Sequence, residues 1–266
     1  MERIINNNMQ DFGLVSIITP NYNCAQFISD TIKSVQAQTY LNWELLIQDD
    51  CSTDGTVEEV LLFAENDSRI KYECNQKNSG AAITRNNALR RAKGRWVAFL
   101  DSDDLWLPEK LEHQLKFMVE NKYAFSYTGY KEMDNDGKDT GVFISGPKHV
   151  SKFGMYAFCW PGCLTVMYDR ETVGLLQIFD IKKNNDYAMW LKVCRKVDCY
   201  LLDEVLAKYR RGRIGSISTH GYSTLILWHY KLWHEVEGMN AIISLFWTCI
   251  NMVCGVYKKL VFVKKI

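Results

Sequence analysis

The stretch WVAFLDSDDLW, residues 96–106, joins an apolar run to a cluster of carboxylates. The run ends abruptly at Asp101, Asp103 and Asp104, and a tryptophan follows closely. Carboxylates packed this closely repel one another unless a cation or a set of hydrogen bonds holds them. The stretch therefore predicts a buried strand that ends either in an exposed turn or in a binding site.

The first hundred residues alternate short β-branched runs with segments whose apolar residues have helical spacing. The predicted strands are 15–19, 43–47, 70–72 and 96–100. The predicted helices are 27–36, 56–65 and 81–92. This alternation indicates an α/β fold with a parallel sheet, in which ligands collect beyond the carboxyl ends of the strands. The segments PNYN, DDCSTDGT and DSDD should therefore lie along one edge.

The second half is less regular. A helix is predicted over 109–120, and the turn signal DNDGKDTG predicts a hairpin and hence a mixed sheet. A further helix is predicted over 186–195, followed by two short strands around Cys199 and Val205. From about His220 onward the chain should be helical, and it is rich in aromatic residues.

Composition limits the class of protein. The 266 residues are 47% apolar, which suits one large domain or one domain with a short appendage. A net charge of +1 argues against nucleic-acid binding. Nine scattered cysteines without zinc-site spacing indicate reduced thiols in the cytoplasm, and the polar N-terminus does not resemble a signal peptide.

Three segments carry residues suited to nucleotide chemistry. Asp101 and Asp103 can both face a divalent cation that bridges diphosphate oxygens, although a solvated turn would look similar. Asp50 could accept a hydrogen bond from the N3–H of uracil, whereas the downstream Ser, Thr and Asp residues suit helix capping. Tyr22 offers a ring for stacking on a base, or simply for packing.

Four segments together closely resemble the nucleotide-binding half of family 2 glycosyltransferases, which have the GT-A fold. They are VSIITPNYN, ELLIQDDCSTDGT, NSGAAITRNNALRRAKG and WVAFLDSDDLWLPEKLE, in this order. The resemblance covers about residues 14–218. It implies a GT-A domain there, with a Rossmann-like nucleotide-binding half and a mixed central sheet, and leaves 219–266 as a helical tail.

The resemblance also implies donor-binding roles. Pro20 and Tyr22 match the base-contacting loop, and Asp50 matches the carboxylate that reads uracil. Arg85 lies where the family places a basic residue near the nucleotide. Asp101 and Asp103 match the metal-binding Asp-x-Asp motif, with Mn²⁺ or Mg²⁺ as the ion; Asp101 thereby also belongs to the donor site, and Asp103 is the better direct ligand.

Two further residues match positions in the second half of the family pattern. Asp186 in NNDYAMWLKV aligns with the catalytic base, although Asn185 replaces the glutamate that usually precedes it. A charge favoured by the helix dipole is the other explanation for Asp186. Arg213 in YRRGRIGSIS matches a histidine position from which a basic side chain could contact the diphosphate.

The resemblance therefore implies an inverting transfer of a sugar from a UDP-sugar to a hydroxyl of a glycan or lipid-linked glycan. With arginine at this position, the YRRGR segment resembles family members of teichuronic acid and capsule synthesis. Two alternatives are a non-catalytic glycan-binding or scaffold protein on a degenerate GT-A fold, and a sugar nucleotidyltransferase. The latter would need a Gly-rich phosphate loop, and TPNYNCAQF contains no glycine.

The tail suggests a partner of its own. From Leu206 onward there are nine basic and two acidic residues, against 23 and 29 before it. Residues 241–257 are mostly apolar, with Ser244, Thr248, Asn251 and Gly255 forming one polar or small stripe. Either this helix packs on the catalytic domain, or it docks peripherally on the cytoplasmic face of an anionic membrane.

Overall fold

A computed structural model describes residues 10–212 and 222–265 of the chain. Within these residues eleven strands form one mixed sheet. Along the main path the strands follow the order β11-β7-β6-β9-β4-β1-β2-β3, while β10 pairs with β5, β6 and β8. The α/β class, the mixed central sheet and the C-terminal helix are confirmed.

The N-terminal part of the sheet is parallel. β1 pairs with both β2 and β4, and β2 pairs with β3. Every residue of β1, β2 and β4 is buried, as expected for strands covered by helices on both faces. The elements are β1 Val15–Asn21, α1 Ile28–Gln36, β2 Trp43–Asp49, α2 Thr56–Asn66, β3 Ile70–Cys74, α3 Ala81–Arg91 and β4 Trp96–Phe99.

The second part of the sheet is mixed. The predicted hairpin is present as β6 and β7, and β9 runs antiparallel between β4 and β6. The elements are β5 Leu105–Trp106, α4 Lys110–Asn121, β6 Phe125–Met133, β7 Asp139–Ile144, β8 His149–Val150, α5 Lys152–Ala157, β9 Met167–Asp169, α6 Arg170–Val173, α7 Asn185–Cys194 and β10 Cys199–Arg210. A single 3₁₀ turn spans Cys163–Thr165.

One sequence prediction in this region is wrong. The two short strands expected around Cys199 and Val205 are a single strand, β10, of 12 residues. Its register against β6 shifts between Leu202 and Val205 and again before Ala207. These irregularities place Asp203 and Glu204 at the surface, so the apolar pattern is interrupted although the strand is not.

The tail is attached to the rest of the fold at several places. It contains α8 Tyr222–Lys231, one segment of π-helix Leu232–Val236, α9 Ala241–Val261 and β11 Val263–Lys265. β11 extends the main sheet by pairing antiparallel with β7. Trp233 is fully buried in the core that also contains Trp190 of α7. The division at 218/219 remains a prediction.

Candidate active site

A cavity of about 1960 Å³ opens beyond the carboxyl ends of β1, β2 and β4. Seven of the eight residues proposed from the sequence line it, and the eighth, Arg213, lies outside the described residues. The seven are Pro20, Tyr22, Asp50, Arg85, Asp101, Asp103 and Asp186. The structure therefore brings residues from three strand ends and from α3 and α7, far apart in sequence, into one space.

Asp50 is held at the start of α3. Its Oδ1 accepts hydrogen bonds from the Ser79 amide at 2.7 Å and Asn75 Nδ2 at 2.8 Å. Its Oδ2 accepts one from the Gly80 amide at 2.7 Å. A carboxylate has about four acceptor sites, so Oδ2 can accept one more hydrogen bond. The side chain is thus fixed by backbone amides and still able to accept a hydrogen bond from a ligand.

The loops after β1 and β2 are tied together by side chains. Ser52 Oγ accepts a hydrogen bond from the Asn23 amide at 2.9 Å, and Asn23 Oδ1 accepts one from the Thr53 amide at 2.8 Å. Asp54 accepts one from the Ala25 amide at 3.0 Å. The capping suggested by the sequence is limited to Asp54, which bonds the Thr56 amide at 3.2 Å, while the N-cap residue itself is Gly55. These bonds position the rim on which Tyr22 lies.

Arg85 connects the two halves of the site. Its Nη2 donates to Asp101 Oδ1 at 2.5 Å, and its Nη1 donates to Asn185 Oδ1 at 3.0 Å. Burial opposes the charge of Arg85, but Asp101 and other nearby anionic groups raise its pKa overall. Asn185 thus orients the guanidinium group of Arg85 without adding a charge. The sequence alone does not predict this contact.

The carboxylate cluster is supported from β10. Asp104 is buried, and its Oδ1 accepts a hydrogen bond from the Arg210 amide at 2.8 Å. The Arg210 side chain donates from Nε to the Asp103 carbonyl at 2.9 Å. Burial, together with the charges of Asp103 and Asp101, raises the pKa of Asp104 well above its usual range. Sequence reasoning missed Arg210, although its position in the YRR segment was a signal.

Asp186 lies in the first turn of α7. Its Oδ1 accepts a hydrogen bond from the Tyr187 amide at 2.8 Å, and the side chain is half-buried on the wall of the cavity. Asn184, before the helix, has a left-handed backbone conformation with φ of 59°. Burial lowers the pKa of the neighbouring Lys183, and the negative charge of Asp186 offsets part of this shift.

The tail also reaches the cavity, which the sequence did not predict. Asn251, Gly255, Lys258, Lys259 and Lys265 are among the lining residues. Among residues 10–212 and 222–265, no set of three His, Cys, Asp or Glu side chains converges as a metal site would require. The cavity therefore has an acidic side formed by strand ends and a basic side to which the tail contributes.

A buried sheet edge that gathers carboxylates and a fixed arginine defines a protein that handles a nucleoside diphosphate compound. The family model for glycosyl transferase family 2 matches residues 16–160, more than half of the chain. The chain belongs to glycosyl transferase family 2.

Two bacterial relatives match most of the chain. The putative teichuronic acid biosynthesis glycosyltransferase TuaG of Bacillus subtilis is 47% identical over 198 residues, which are 74% of this chain and 79% of the relative. The UDP-Glc:alpha-D-GlcNAc-diphosphoundecaprenol beta-1,3-glucosyltransferase WfgD of Escherichia coli is 41% identical over 219 residues, covering 82% of this chain and 84% of the relative.

A solved structure has the same fold. The S. aureus TarS 1-349 fragment, in complex with UDP-GlcNAc, aligns with a TM-score of 0.67 and 21% identity. The alignment covers 86% of this chain and 69% of that fragment. At this identity the likeness concerns the fold alone, and it confirms the GT-A architecture.

Proposed function

We propose that this glycosyltransferase transfers one sugar, with inversion, from a UDP-sugar to a hydroxyl of a lipid-linked glycan during bacterial surface polysaccharide synthesis. The observation that carries the proposal is Arg85, which joins the Asp101 carboxylate to the start of α7 beside Asp186. A donor site and a general base are thereby held in one rigid unit. WfgD and TuaG support the donor and the pathway class by their names.

The donor binds at the acidic end of the cavity. Asp50 accepts the N3–H of uracil at its remaining Oδ2 site, because the Ser79 and Gly80 amides fix its plane. Tyr22, which is 48% exposed on the cavity rim, stacks on the base, and Pro20 contacts it. Arg213, which lies outside the described residues, is proposed to contact the diphosphate because it matches a basic position of the family pattern.

Asp186 is the general base. It removes the proton of the acceptor hydroxyl as that oxygen attacks the anomeric carbon from the face opposite UDP. The new C–O bond forms while the bond to the UDP oxygen breaks, and the proton remains on Asp186. A single displacement of this kind inverts the anomeric configuration. The hydrogen bond from the Tyr187 amide holds the carboxylate in place.

A divalent metal fits the carboxylate cluster. The Oδ2 atom of Asp104 is buried without a hydrogen-bond partner, and the charges of Asp101 and Asp103 act against its ionisation, so a cation nearby would relieve both effects. Asp101 and Asp103 line the cavity and would hold Mn²⁺ or Mg²⁺. When bound, the ion would neutralise negative charge on the diphosphate.

The enzyme docks peripherally on the cytoplasmic face of the cell membrane through α9. Ser244, Thr248 and Asn251 face the protein, whereas Ile242 and Leu260 are 83% and 78% exposed. α9 has the length and composition of a membrane span, but its polar stripe is bonded to the catalytic half. It therefore lies in the interface, where Lys258 and Lys259 add attraction to anionic lipid.

The central experiment measures UDP release and sugar transfer. The purified chain is incubated with UDP-glucose or UDP-GlcNAc, with Mn²⁺ or EDTA, and with GlcNAc linked through diphosphate to a long alkyl chain. We expect acceptor-dependent UDP release and a product of inverted configuration by NMR. Formation of UTP and sugar 1-phosphate when inorganic diphosphate is added to the UDP-sugar would indicate a nucleotidyltransferase, and binding of the acceptor without turnover would indicate a glycan-binding protein.

Membrane docking is tested with substitutions rather than truncation, because removing α9 would uncover the fully buried Trp233. The double variant Ile242→Glu/Leu260→Glu should lose most sedimentation with anionic liposomes, since each apolar side chain contributes about 1.5–3 kcal/mol when buried. Leu62→Glu is the matched control, as Leu62 is 59% exposed on α2. Equal liposome binding by the double variant and the control would exclude docking through α9.

A further inference from the structure

Charged residues of both signs line the cavity, and two groups among them each carry one sign. Asp50, Asp101, Asp103 and Asp104 lie at the strand ends. Five lysines line the cavity from the segment before α7 and from the end of the tail: Lys182, Lys183, Lys258, Lys259 and Lys265. A nucleoside diphosphate bound at the acidic group with its metal leaves this second group for another anion.

Lys258 is the best-defined member of the basic group. It lies in the last turn of α9, and its Nζ donates to the Trp160 carbonyl at 2.7 Å and lies 5.5 Å from the Phe158 ring centroid. Within the described residues, no carboxylate lies within ion-pair distance of this Nζ. An ammonium group has three donors, and a partly buried one without a counter-ion favours an anionic ligand.

Lys258 is also close to the catalytic end of α7. Asn251 Nδ2 is 3.3 Å from the Tyr187 hydroxyl, and Lys258 follows Asn251 by two helical turns, a rise of about 10 Å. The Cys159 thiol senses both charges, because Asp186 raises its pKa and Lys258 lowers it. Lys258 and Asp186 therefore both lie near this buried thiol, and both line the same cavity.

The position of this group relative to the membrane face completes the geometry. Leu260, which is 78% exposed, lies two residues after Lys258 on α9. The lysine is directed at the cavity, whereas the leucine faces outward. A lipid tail that lies along the exposed face of α9 would thus bring a phosphate group at its head to the basic side of the cavity.

We propose that Lys258, with Lys259 and Lys265, binds the diphosphate of a lipid-linked acceptor and so places the acceptor sugar hydroxyl at Asp186. This inference rests on the proposed function and adds a subsite to it. Phospholipid headgroups carry a similar anion, so the test must distinguish an acceptor subsite from general attraction to anionic lipid.

The experiment compares two acceptors on the full chain. One is GlcNAc joined to a long alkyl chain through diphosphate, and the other is GlcNAc joined to the same chain through a neutral glycosidic bond. For Lys258→Met we expect at least a tenfold higher KM for the diphosphate acceptor, with KM for the neutral acceptor and for the UDP-sugar unchanged. Lys258→Arg should recover most of the difference.

Lys264→Met is the matched control, because Lys264 is exposed and lies outside the cavity lining. The Tm of each variant and its affinity for UDP report whether the fold is intact, and competition by inorganic diphosphate measures the subsite in the wild-type chain directly. We expect inorganic diphosphate to raise KM for the diphosphate acceptor only. Equal loss in Lys258→Met and Lys264→Met, or equal effects on both acceptors, would overturn the subsite.

Failure of the proposed function has a different signature. A wild-type chain that transfers sugar to neither acceptor would overturn the proposed acceptor class and this inference with it. Transfer to both acceptors with the same dependence on Lys258 would leave the proposed function standing and would overturn the subsite alone.

Discussion

The strands β1 to β4 and the helix α9 follow opposite patterns of burial. In the strands apolar side chains fill the core, and the carboxylates of Asp50 and Asp101 follow at the strand ends. In α9 the polar Asn251 is fully buried, whereas Ile242 is 83% exposed. A helix of a soluble protein normally buries its apolar stripe. The contrast is the pattern expected if the strands face the protein core and α9 faces an apolar surface outside it, which is the basis of the proposed membrane docking.

The largest expected effect concerns catalysis in the cavity at the ends of these strands. Asp186→Asn removes the base while keeping the shape of the side chain, so transfer should fall by about 10²–10⁴-fold, the usual contribution of a general base. UDP affinity should be unchanged. The measurement is single-turnover sugar transfer alongside calorimetric titration with UDP.

Asp180→Asn is the control for that prediction, because Asp180 is an exposed carboxylate outside the cavity lining. It should retain wild-type transfer. Weakened UDP binding with retained transfer in Asp186→Asn would assign Asp186 to the donor site instead.

The next effect concerns the carboxylate cluster. Asp103→Ala should reduce turnover by at least about 10²-fold, because a bound metal contributes several kcal/mol of charge stabilisation in reactions of this kind. It should also abolish the stimulation of UDP release by Mn²⁺. Asp136→Ala, in the exposed turn between β6 and β7, should behave as wild type. A metal response that survives in Asp103→Ala would contradict the metal assignment.

The strands β1 to β4 are easier to predict from the sequence than the tail that contains α9. β1 to β4 were located to within about two residues because their β-branched runs end in turn residues that are local in sequence. Five of the seven candidate residues in the cavity lie at strand ends and meet because parallel strands share one carboxyl edge, whereas the other two come from α3 and α7. The roles assigned to them remain predictions until the variants are measured.

Other features depend on non-local pairing, which no local pattern reveals. β11 joins the sheet only through β7, some 120 residues earlier in the chain, so VFVKKI read as helical tail. Arg210 became a support of the site because β10 passes beside Asp103 and Asp104. The polar stripe of α9 can be predicted from the sequence. That the stripe faces the protein cannot, because its orientation depends on hydrogen bonds from Asn251 to the carbonyl groups of Tyr156 and Ala157.

The third prediction tests that stripe. Asn251 donates to the Tyr156 and Ala157 carbonyls at 2.8 and 2.7 Å and accepts from Trp233 Nε1 at 2.9 Å. Each buried group left without a partner costs about 1–3 kcal/mol, so Asn251→Ala should lower the free energy of unfolding by at least about 2 kcal/mol. Denaturant titration measures the loss.

Val253→Ala is the matched substitution on the opposite face, where the side chain is 66% exposed. It should change the free energy of unfolding by less than about 0.5 kcal/mol. If Val253→Ala destabilised the chain more than Asn251→Ala, the orientation of α9 described above would be wrong.

The smallest effect is a pH dependence at the point where the two regions meet. Burial lowers the pKa of Lys258 to about 8, so this ammonium group is charged at pH 7 and loses its proton as the pH rises through 8. The nearby Cys159 thiol stays neutral in this range because burial raises its pKa well above the usual value.

We therefore expect KM for the diphosphate acceptor to rise several-fold between pH 7 and pH 9, in step with the loss of the Lys258 charge. The neutral acceptor should show no such rise, which separates this effect from titration of the donor site. Lys258→Arg should flatten the profile, because a guanidinium group stays protonated throughout. A profile that is unchanged in Lys258→Arg would show that a group other than Lys258 controls the pH dependence of acceptor binding.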